Sequence, residues 1–531
     1  MFAFVLVVVV VAIALSAVAE RRGGQPALVV AVVALAASFI PGIPHLELDP
    51  EFILGIVLPP MLFSAARDFS FAEFRRRAGA IVSLGVLLVF ATTFVAAGAA
   101  MLVLPDMLPL TALILGVVVA PPDAVTAITI GRRAGLPVGL MTVLKGESLI
   151  NDAAALTLFA VLVAMATGTH AFIDNVPIYF LYAAGVGIVI GLLIGNLAQW
   201  ANHRLDNAAL ATAMTVLVPF AAYLVAEELH ASGVLAVVAA GFTIGHHAVQ
   251  AGYRQRLQEQ GFWRTVDTLL ETFVFAYIGL QLRFVVTAAA EDGYDLGELL
   301  LATAAVFAAI VAVRFAWVFG TASVMRWRRR HRAAAVKPFS WSELTVLSFT
   351  GMRGVVTLAA AAGTPLLVSG GTDFPDREAI ISIAFLVTVA TLLIQGLSLP
   401  WLISRLQLDD PDHGRFAAEQ RQRAEAMIRE AALSVLAGYR ASHPGHAGSR
   451  LAAQMEKRLR SDEHQMQAAA DPDTDEALAL GQLLLAERRK RLVQARDKLE
   501  LDDTIVREML EKLDLEQAFI DSIAASDAAS R

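Results

Sequence analysis

The chain of 531 residues contains no cysteine, which excludes disulfide bonds, thiolate metal sites, iron–sulfur clusters and thiol catalysis. Charged side chains are also scarce, at 17% of residues against about 25% in an ordinary soluble domain. Their distribution is uneven, because the first 404 residues hold 48 of them and the last 127 residues hold 43. This contrast excludes a single soluble domain. It predicts a polytopic membrane domain at 1–404 and a charged, helical, cytoplasmic domain at 405–531.

The net charge of −7 gives no indication of a nucleic-acid partner. No glycine-rich nucleotide-binding motif is present in residues 405–531. The partner that the composition does predict is the lipid bilayer.

Thirteen apolar stretches are long enough to cross a bilayer as helices of roughly 20 residues. They are residues 2–19, 26–42, 51–66, 78–104, 108–131, 138–167, 176–201, 207–227, 231–247, 265–286, 297–325, 340–366 and 379–404. Eighteen Arg and Lys residues fall in or beside the connections on one side, and two on the other. Because basic connections stay in the cytoplasm, we expect the N-terminus outside and the C-terminus inside.

The thirteen stretches divide into six, one and six, with 176–201 as the single linker, which is typical of transporters built from an inverted repeat. The fifth stretch contains Pro121 and Pro122 followed by Asp123, and the twelfth contains Gly-Met-Arg-Gly at 351–354. Both sequences interrupt a helix in mid-membrane, at equivalent positions of the two halves. We therefore predict an all-α fold of thirteen transmembrane helices with two crossed broken helices and a transport site at the breaks.

Ionisable residues inside the stretches are rare, since each one costs at least about 2.5–3.5 kcal/mol to insert. Away from the ends of the stretches they are Asp123, Lys145, Glu147, Asp152, Glu271, Arg314 and Arg353, whereas Asp267 and Glu343 lie nearer the cytoplasmic interface. Helical spacing places Ser148 one turn before Asp152, and Glu147 one turn before Asn151. Hydroxyl, amide and carboxylate oxygens of this kind suit a hard cation.

Two nearby carboxylates in a medium of low dielectric cannot both stay charged without a partner. We expect one of Arg314 and Arg353 to neutralise Glu147, with Arg314 favoured, and Glu271 to pair with the other arginine. Asp152 then remains to hold a proton or a cation but not both, and that competition is the chemistry of exchange. The structural alternative is a set of ion pairs that only hold the bundle together.

Five motifs, in this order along the chain, resemble those of the monovalent cation:proton antiporter-1 family, the electroneutral sodium/proton exchangers. They are Leu-Pro-Pro-Met-Leu-Phe at 58–63, Ala-Pro-Pro-Asp-Ala-Val at 120–125, Gly-Glu-Ser-Leu-Ile-Asn-Asp at 146–152, Glu-Thr-Phe-Val-Phe at 271–275 and Gly-Met-Arg-Gly-Val-Val at 351–356. Residues 502–516 are similar to the tail of a bacterial subgroup. The resemblance implies a thirteen-helix fold with an elevator-like core domain, a dimerisation domain and a homodimeric assembly.

The resemblance also implies that Asp152 binds the cation and the proton in turn. It makes Ser148 and the backbone carbonyl of Pro122 cation ligands, and it has Asn151 steady the pair that Glu147 forms with an arginine. A neutral Asn before the Asp implies one proton per cation, with no net charge moved. No cofactor is implied, because Na⁺ or Li⁺ and H⁺ are the transported ions, and the expected role is in pH and sodium homeostasis.

Two positions depart from the family pattern. Pro122 stands where a Thr is usual, and Ser64 stands where many members carry an acid, so Ser64 is kept as a lesser candidate ligand. Selectivity is therefore open, and potassium/proton exchange is the nearest alternative. An intramembrane aspartyl protease built on Asp123 and Asp152 is a different class, but neither residue lies in the Tyr-Asp or Gly-x-Gly-Asp signature of such enzymes.

Overall fold

The computed structural model describes residues 2–44, 50–133, 135–168, 173, 175–205, 207–291, 293–329, 339–368, 371–406, 408, 411–442, 447–460, 474–498 and 500–530. In these segments the chain is helical apart from its connections and one isolated β-bridge between Leu367 and Asp373. The helices of the first 406 residues are α1 (Phe2–Arg21), α2 (Pro26–Ala37), α3 (Pro50–Phe52), α4 (Leu58–Arg67), α5 (Phe71–Val82), α6 (Leu88–Val103), α7 (Pro109–Val118), α8 (Ala124–Arg133), α9 (Val138–Thr167), α10 (Val176–Asn202), α11 (Ala208–Glu228), α12 (Gly233–His247), α13 (Tyr253–Leu280), α14 (Leu282–Glu291), α15 (Leu296–Arg329), α16 (Trp341–Phe349), α17 (Val355–Ala362), α18 (Arg377–Ala390) and α19 (Leu397–Leu406).

These helices include eight that are long and apolar enough to cross a membrane, and four shorter apolar ones, among the residues described. Each of the thirteen predicted stretches overlaps one helix or consecutive helices. The chain is therefore an all-α polytopic membrane protein, as predicted. The count of thirteen crossings and the inverted repeat stay predictions.

Close packing of small residues joins α10 to α12. Gly187, Gly191 and Gly195 recur every fourth residue on α10 and so lie on one face. A Cβ atom at Gly191 would fall 2.1 Å from the carbonyl oxygen of Ala236, and one at Gly187 would fall 2.6 Å from that of Ser232. Because lipid supplies no hydrophobic force between helices, such close backbone contact is the usual source of their association in a membrane.

Three of the long helices contain a π-helical turn, at Ile53–Val57, Ser83–Leu87 and Thr391–Gly396. The first lies just before Pro59 and Pro60, whose missing N–H groups loosen the hydrogen-bond ladder of the preceding turn. Turns of this kind occur often at functional sites, and the third one contributes a side chain to the site described below.

Two helices are broken where the sequence predicts. Helix α7 ends at Val118 and α8 begins at Ala124, so Pro121 and Pro122 lie in an unwound segment. Helix α16 ends at Phe349 and α17 begins at Val355, which leaves 350–354 unwound. Both breaks are confirmed, and each leaves helix ends to be satisfied within the protein.

The chain divides into two compact units. The first comprises Met1–Arg204, Ala213–His246 and Phe262–Asp409, and the second comprises Leu205–Thr212, His247–Gly261 and Asp410–Arg531. Two short segments of the first 404 residues thus belong with the tail. The remaining helices are α20 (Pro411–Ser442), α21 (Ala447–Arg460), α22 (Thr474–Asp497) and α23 (Asp503–Ser530).

A buried carboxylate joins three elements of the second unit. Asp514 on α23 is 2% exposed, and it accepts hydrogen bonds from Arg489 on α22 at 2.9 Å and from Nε of Arg256 at 2.7 Å. Apolar side chains such as Leu492 and Val506, both fully buried, form the surrounding core. Charge-assisted hydrogen bonds from the two arginines compensate for the desolvation of this buried carboxylate.

Candidate cation site

The two unwound segments touch each other. The backbone N–H of Asp123 donates to the carbonyl of Met352 at 2.6 Å. A Cβ atom at Gly354 would fall 1.9 Å from Oδ2 of Asp123, so glycine is required at this position by space alone. The two broken helices therefore cross in direct contact.

Charged side chains lie at the ends of the half-helices with the sign that their dipoles favour. Nε of Arg353 donates to the carbonyl of Val119 at 2.9 Å, and Nη1 of Arg353 donates to the carbonyl of Gly351. These carbonyls follow the C-terminal ends of α7 and α16, where a cation is stabilising. The Asp123 carboxylate lies against Gly354, the N-cap of α17, where an anion is stabilising.

The backbone of the second break is fixed as well. The backbone N–H of Arg353 donates to the hydroxyl of Thr391 at 2.9 Å, and Thr391 is the first residue of the third π-helical turn. The pair that Arg353 is expected to form with Glu271 stays a prediction, whereas its bonds to the backbone carbonyls of the two breaks are observed. The reason is local, because an unwound membrane segment exposes carbonyls that an arginine fork can satisfy.

Arg314 is the arginine that pairs with Glu147. Nη2 of Arg314 lies 2.9 Å from Oε2 of Glu147, Nη1 contacts Oε1, and the Arg314 Nε donates to the carbonyl of Leu347 at 3.1 Å. Both charged side chains are buried. The fork geometry holds the charge of Glu147 in one place, and it ties α9, α15 and α16 together.

A cavity of about 80 Å³ lies beside the crossing. Its polar wall consists of Asp123, Lys145, Ser148, Asp152 and Thr357, and leucine, methionine and valine side chains form most of the remainder. By the volume that a single ordered water needs, this space holds a few water molecules or a partly hydrated alkali cation. The structure therefore brings together Asp152, Ser148 and Asp123 from the predicted site.

Asn151 holds the unwound segment of the first broken helix, and not the ion pair of Glu147. Its Nδ2 atom donates to the carbonyl of Pro122 at 2.7 Å, and the side chain is fully buried. The expected contact of Asn151 with Glu147 and its arginine is therefore corrected. The Pro122 carbonyl keeps a second lone pair, but one is used by the amide.

Ser64 lies outside the cavity wall. Its hydroxyl donates to Oδ2 of Asp267 on α13 at 2.6 Å, and so it is engaged with a neighbouring helix. Glu271 lies one turn further along α13 and is half-buried. The expectation that Ser64 serves as a lesser cation ligand is thus replaced by a link between α4 and α13.

Two residues of the cavity wall had no assigned role in the sequence. Lys145 was visible as a charge inside the sixth stretch, two residues before Glu147. Nothing about Thr357 itself indicates a role in a site, because a single threonine on an apolar helix is common. Only its position three residues after Gly354 distinguishes it. Both become informative only once α9 and α17 are seen to face one cavity.

The chain is similar to known sodium/proton exchangers. The family described as "Sodium/hydrogen exchanger, transmembrane" matches residues 5–405. An uncharacterized Na⁺/H⁺ exchanger of Mycobacterium tuberculosis is 31% identical over 97% of this chain and 95% of its own length. The Na⁺/H⁺ antiporter ApNhaP of Aphanothece halophytica is 31% identical over 78% of this chain and 75% of its own length.

The fold is similar to that of the solved sodium/proton antiporter MjNhaP1 from Methanocaldococcus jannaschii. The two chains superpose with a TM-score of 0.58 and 19% identity, over 77% of this chain and 99% of the other. The chain therefore belongs to the sodium/hydrogen exchanger family of monovalent cation:proton antiporters, which are secondary transporters and not enzymes.

Proposed function

We propose that this antiporter exchanges Na⁺, or Li⁺, for H⁺ across the plasma membrane, with Asp152 as the carboxylate that both ions share. The supporting observation is the place of Asp152: it lines the cavity at the crossing, beside Ser148 and Asp123. Glu147, five residues earlier on the same helix, is already bound to Arg314. Asp152 is thus the acid of this motif that is available to a transported ion.

Competition between the two ions follows from burial. The Asp152 side chain is 6% exposed, and a second carboxylate, that of Asp123, faces the same cavity. Lys145, on the same wall, can balance only one of the two carboxylates, so the second needs a proton or a cation. A bound cation balances the negative charge and so weakens the binding of the proton. A bound proton removes the charge that attracts the cation.

A stoichiometry of one proton per cation follows if only Asp152 changes its occupant. Asn151 is neutral, and Glu147 and Arg314 balance each other in an ion pair. The charge of the protein with either ion bound is then the same. We therefore propose electroneutral exchange, for which a membrane potential clamped with valinomycin and K⁺ should leave the rate unchanged.

The orientation follows the arginine distribution, with the N-terminus outside and the C-terminus in the cytoplasm. Because the chain has no cysteine, single cysteines can be introduced without removing any native thiol. We expect Gly23→Cys to react only with membrane-permeant reagents in intact cells, and Gly42→Cys to react with impermeant ones as well. A homodimer is proposed from the family resemblance, and cross-linking in native membranes tests it.

The test of the exchange itself is proton flux in proteoliposomes upon addition of Na⁺, Li⁺ or K⁺. We expect Na⁺ and Li⁺ to drive proton movement and Asp152→Asn to abolish it, whereas the exposed Glu298→Gln serves as a control and keeps it. Wild-type exchange by Asp152→Asn would refute the mechanism. Exchange driven by K⁺ at equal rates would instead favour potassium/proton exchange, which is the second candidate because Pro122 cannot offer a hydroxyl ligand.

A further inference from the structure

The side chain of Thr357 is fully buried, and it lines the cavity that Asp152 and Ser148 also line. Its hydroxyl oxygen has no hydrogen-bond partner within the structure. A buried hydroxyl without a partner is unfavourable, so such a group calls for an explanation. The explanation has to account both for the missing partner and for the place of Thr357 on the cavity wall.

The missing partner follows from the position of Thr357 in its helix. Threonines within helices of this chain donate to the carbonyl four residues before them, as Thr93, Thr243 and Thr388 do at 2.8–2.9 Å. Thr357 is the third residue of α17, so the residue four positions before it is Arg353, in the unwound segment. The usual internal partner of a helical threonine is therefore out of place, and the residue lies on the wall of the cavity.

The cavity offers a cation site with oxygen ligands from two elements. Helix α9 contributes Asp152 and Ser148 to the cavity wall, and α17 contributes Thr357. Hydroxyl oxygens are hard ligands and suit an alkali cation. Residue 122 is a proline, so the first broken helix has no hydroxyl at the position that precedes Asp123.

We propose that Thr357 is a direct ligand of the transported cation and that its hydroxyl provides the ligand which Pro122 cannot. This inference rests on the proposed exchange at Asp152. It assigns cation affinity, and the preference among alkali cations, to the second broken helix. A bound cation would give the hydroxyl oxygen the partner that it lacks within the protein.

The test compares Thr357→Ser with Thr357→Ala, which both lack the methyl group and differ only in the hydroxyl. Thr388→Val is the matched control, because Thr388 is also fully buried but bonds within its own helix. Loss of a ligand to a charged group predicts a rise of roughly tenfold or more in the KM for Na⁺ in Thr357→Ala. We expect Thr357→Ser to stay within about twofold of the wild type, and Thr388→Val to be unchanged.

Two further readouts separate a ligand from a residue that only positions Asp152. Thermal stabilisation of the purified protein by NaCl should weaken in Thr357→Ala, while the pH profile of the maximal rate should keep its midpoint. A shifted midpoint with an unchanged KM for Na⁺ would overturn the proposal, and so would equal KM values for the Ala and Ser variants. Because Asp152→Asn is assayed in parallel, exchange that survives in that variant refutes the shared-carboxylate mechanism, a separate result.

Discussion

Arg314 and Glu147 form a two-point ion pair that joins α15 to α9 across 167 positions of sequence, with Nη2 of Arg314 2.9 Å from Oε2 of Glu147. Removal of one partner leaves the other charge buried without compensation, which costs about 3–5 kcal/mol. We expect Glu147→Gln and Arg314→Gln each to lower the melting temperature of the purified protein, measured by scanning fluorimetry. The double variant should lose less than the sum of the two single variants, whereas additive losses would show that the two charges do not depend on each other.

Gly354→Ala should disrupt the crossing. The added Cβ atom would lie 1.9 Å from the Asp123 carboxylate, so the two unwound segments would have to separate. Overpacking of this kind costs about 1–3 kcal/mol, and we expect loss of exchange together with a lower melting temperature. Gly320→Ala is the control, since nothing lies within 4 Å of a Cβ atom at that position. A fully active Gly354→Ala variant would contradict the close contact.

Lys145 places a positive charge on the wall of the cavity, where it opposes an incoming cation. Neutralisation by Lys145→Gln should therefore lower the KM for Na⁺, by roughly fivefold for an electrostatic effect of about 1 kcal/mol. Lys145→Arg keeps the charge and should keep the wild-type KM. The measurement is the Na⁺ dependence of proton flux in proteoliposomes, and a higher KM in Lys145→Gln would disprove the repulsion.

The tail has a carboxylate whose titration lies below the physiological range. Partial burial raises the pKa of Asp521, but hydrogen bonds from Tyr253, Gln517 and Arg254 outweigh burial and hold the pKa below its ordinary value. A lowered pKa in the folded state stabilises the fold at pH values above about 3.9, the ordinary value of an Asp, and the stabilisation disappears as the pH falls through the lowered value. Protonation of Asp521 therefore does not weaken the tail between pH 5 and 8.

Hydrogen exchange of α23 in the full-length protein, corrected for the intrinsic rates, measures this effect. We expect constant protection from pH 5 to 8 in the wild type and a decrease below about pH 4. Asp521→Asn should reduce protection by roughly twofold to fivefold from pH 5 to 8, as expected for an ion pair near the surface. A wild-type decrease near neutral pH would show that another group controls this helix.

The breaks and the central acid could be predicted from the sequence because their signals are local. Two adjacent prolines before Asp123 and two glycines around Arg353 weaken a helix within an apolar stretch, and the charge at each of these places stands out. Asp152 was singled out because it has a neutral Asn as its neighbour. The preference for Arg314 over Arg353 as the partner of Glu147 also agrees with the structure.

The choice of side-chain partners could not be predicted in the same way. Ser64 donates to Asp267, and Asn151 donates to the Pro122 carbonyl; both bonds depend on how neighbouring helices are rotated about their axes. The carbonyls that bind Arg353 are available as acceptors because two helices unwind where they meet. Sequence spacing describes one helix at a time. It therefore cannot show which backbone carbonyls become available as acceptors where two broken helices meet.

The contact between Gly354 and Asp123 also limits how the transporter can move. There is no clearance between the two unwound segments, and the hydrogen bond from Asp123 to Met352 fastens one to the other. A gating movement that separated the two broken helices would have to break both of these contacts at once. We therefore expect the two segments to move together as one rigid body. Access to the cation site would then change from one side of the membrane to the other as this rigid body slides past the surrounding helices.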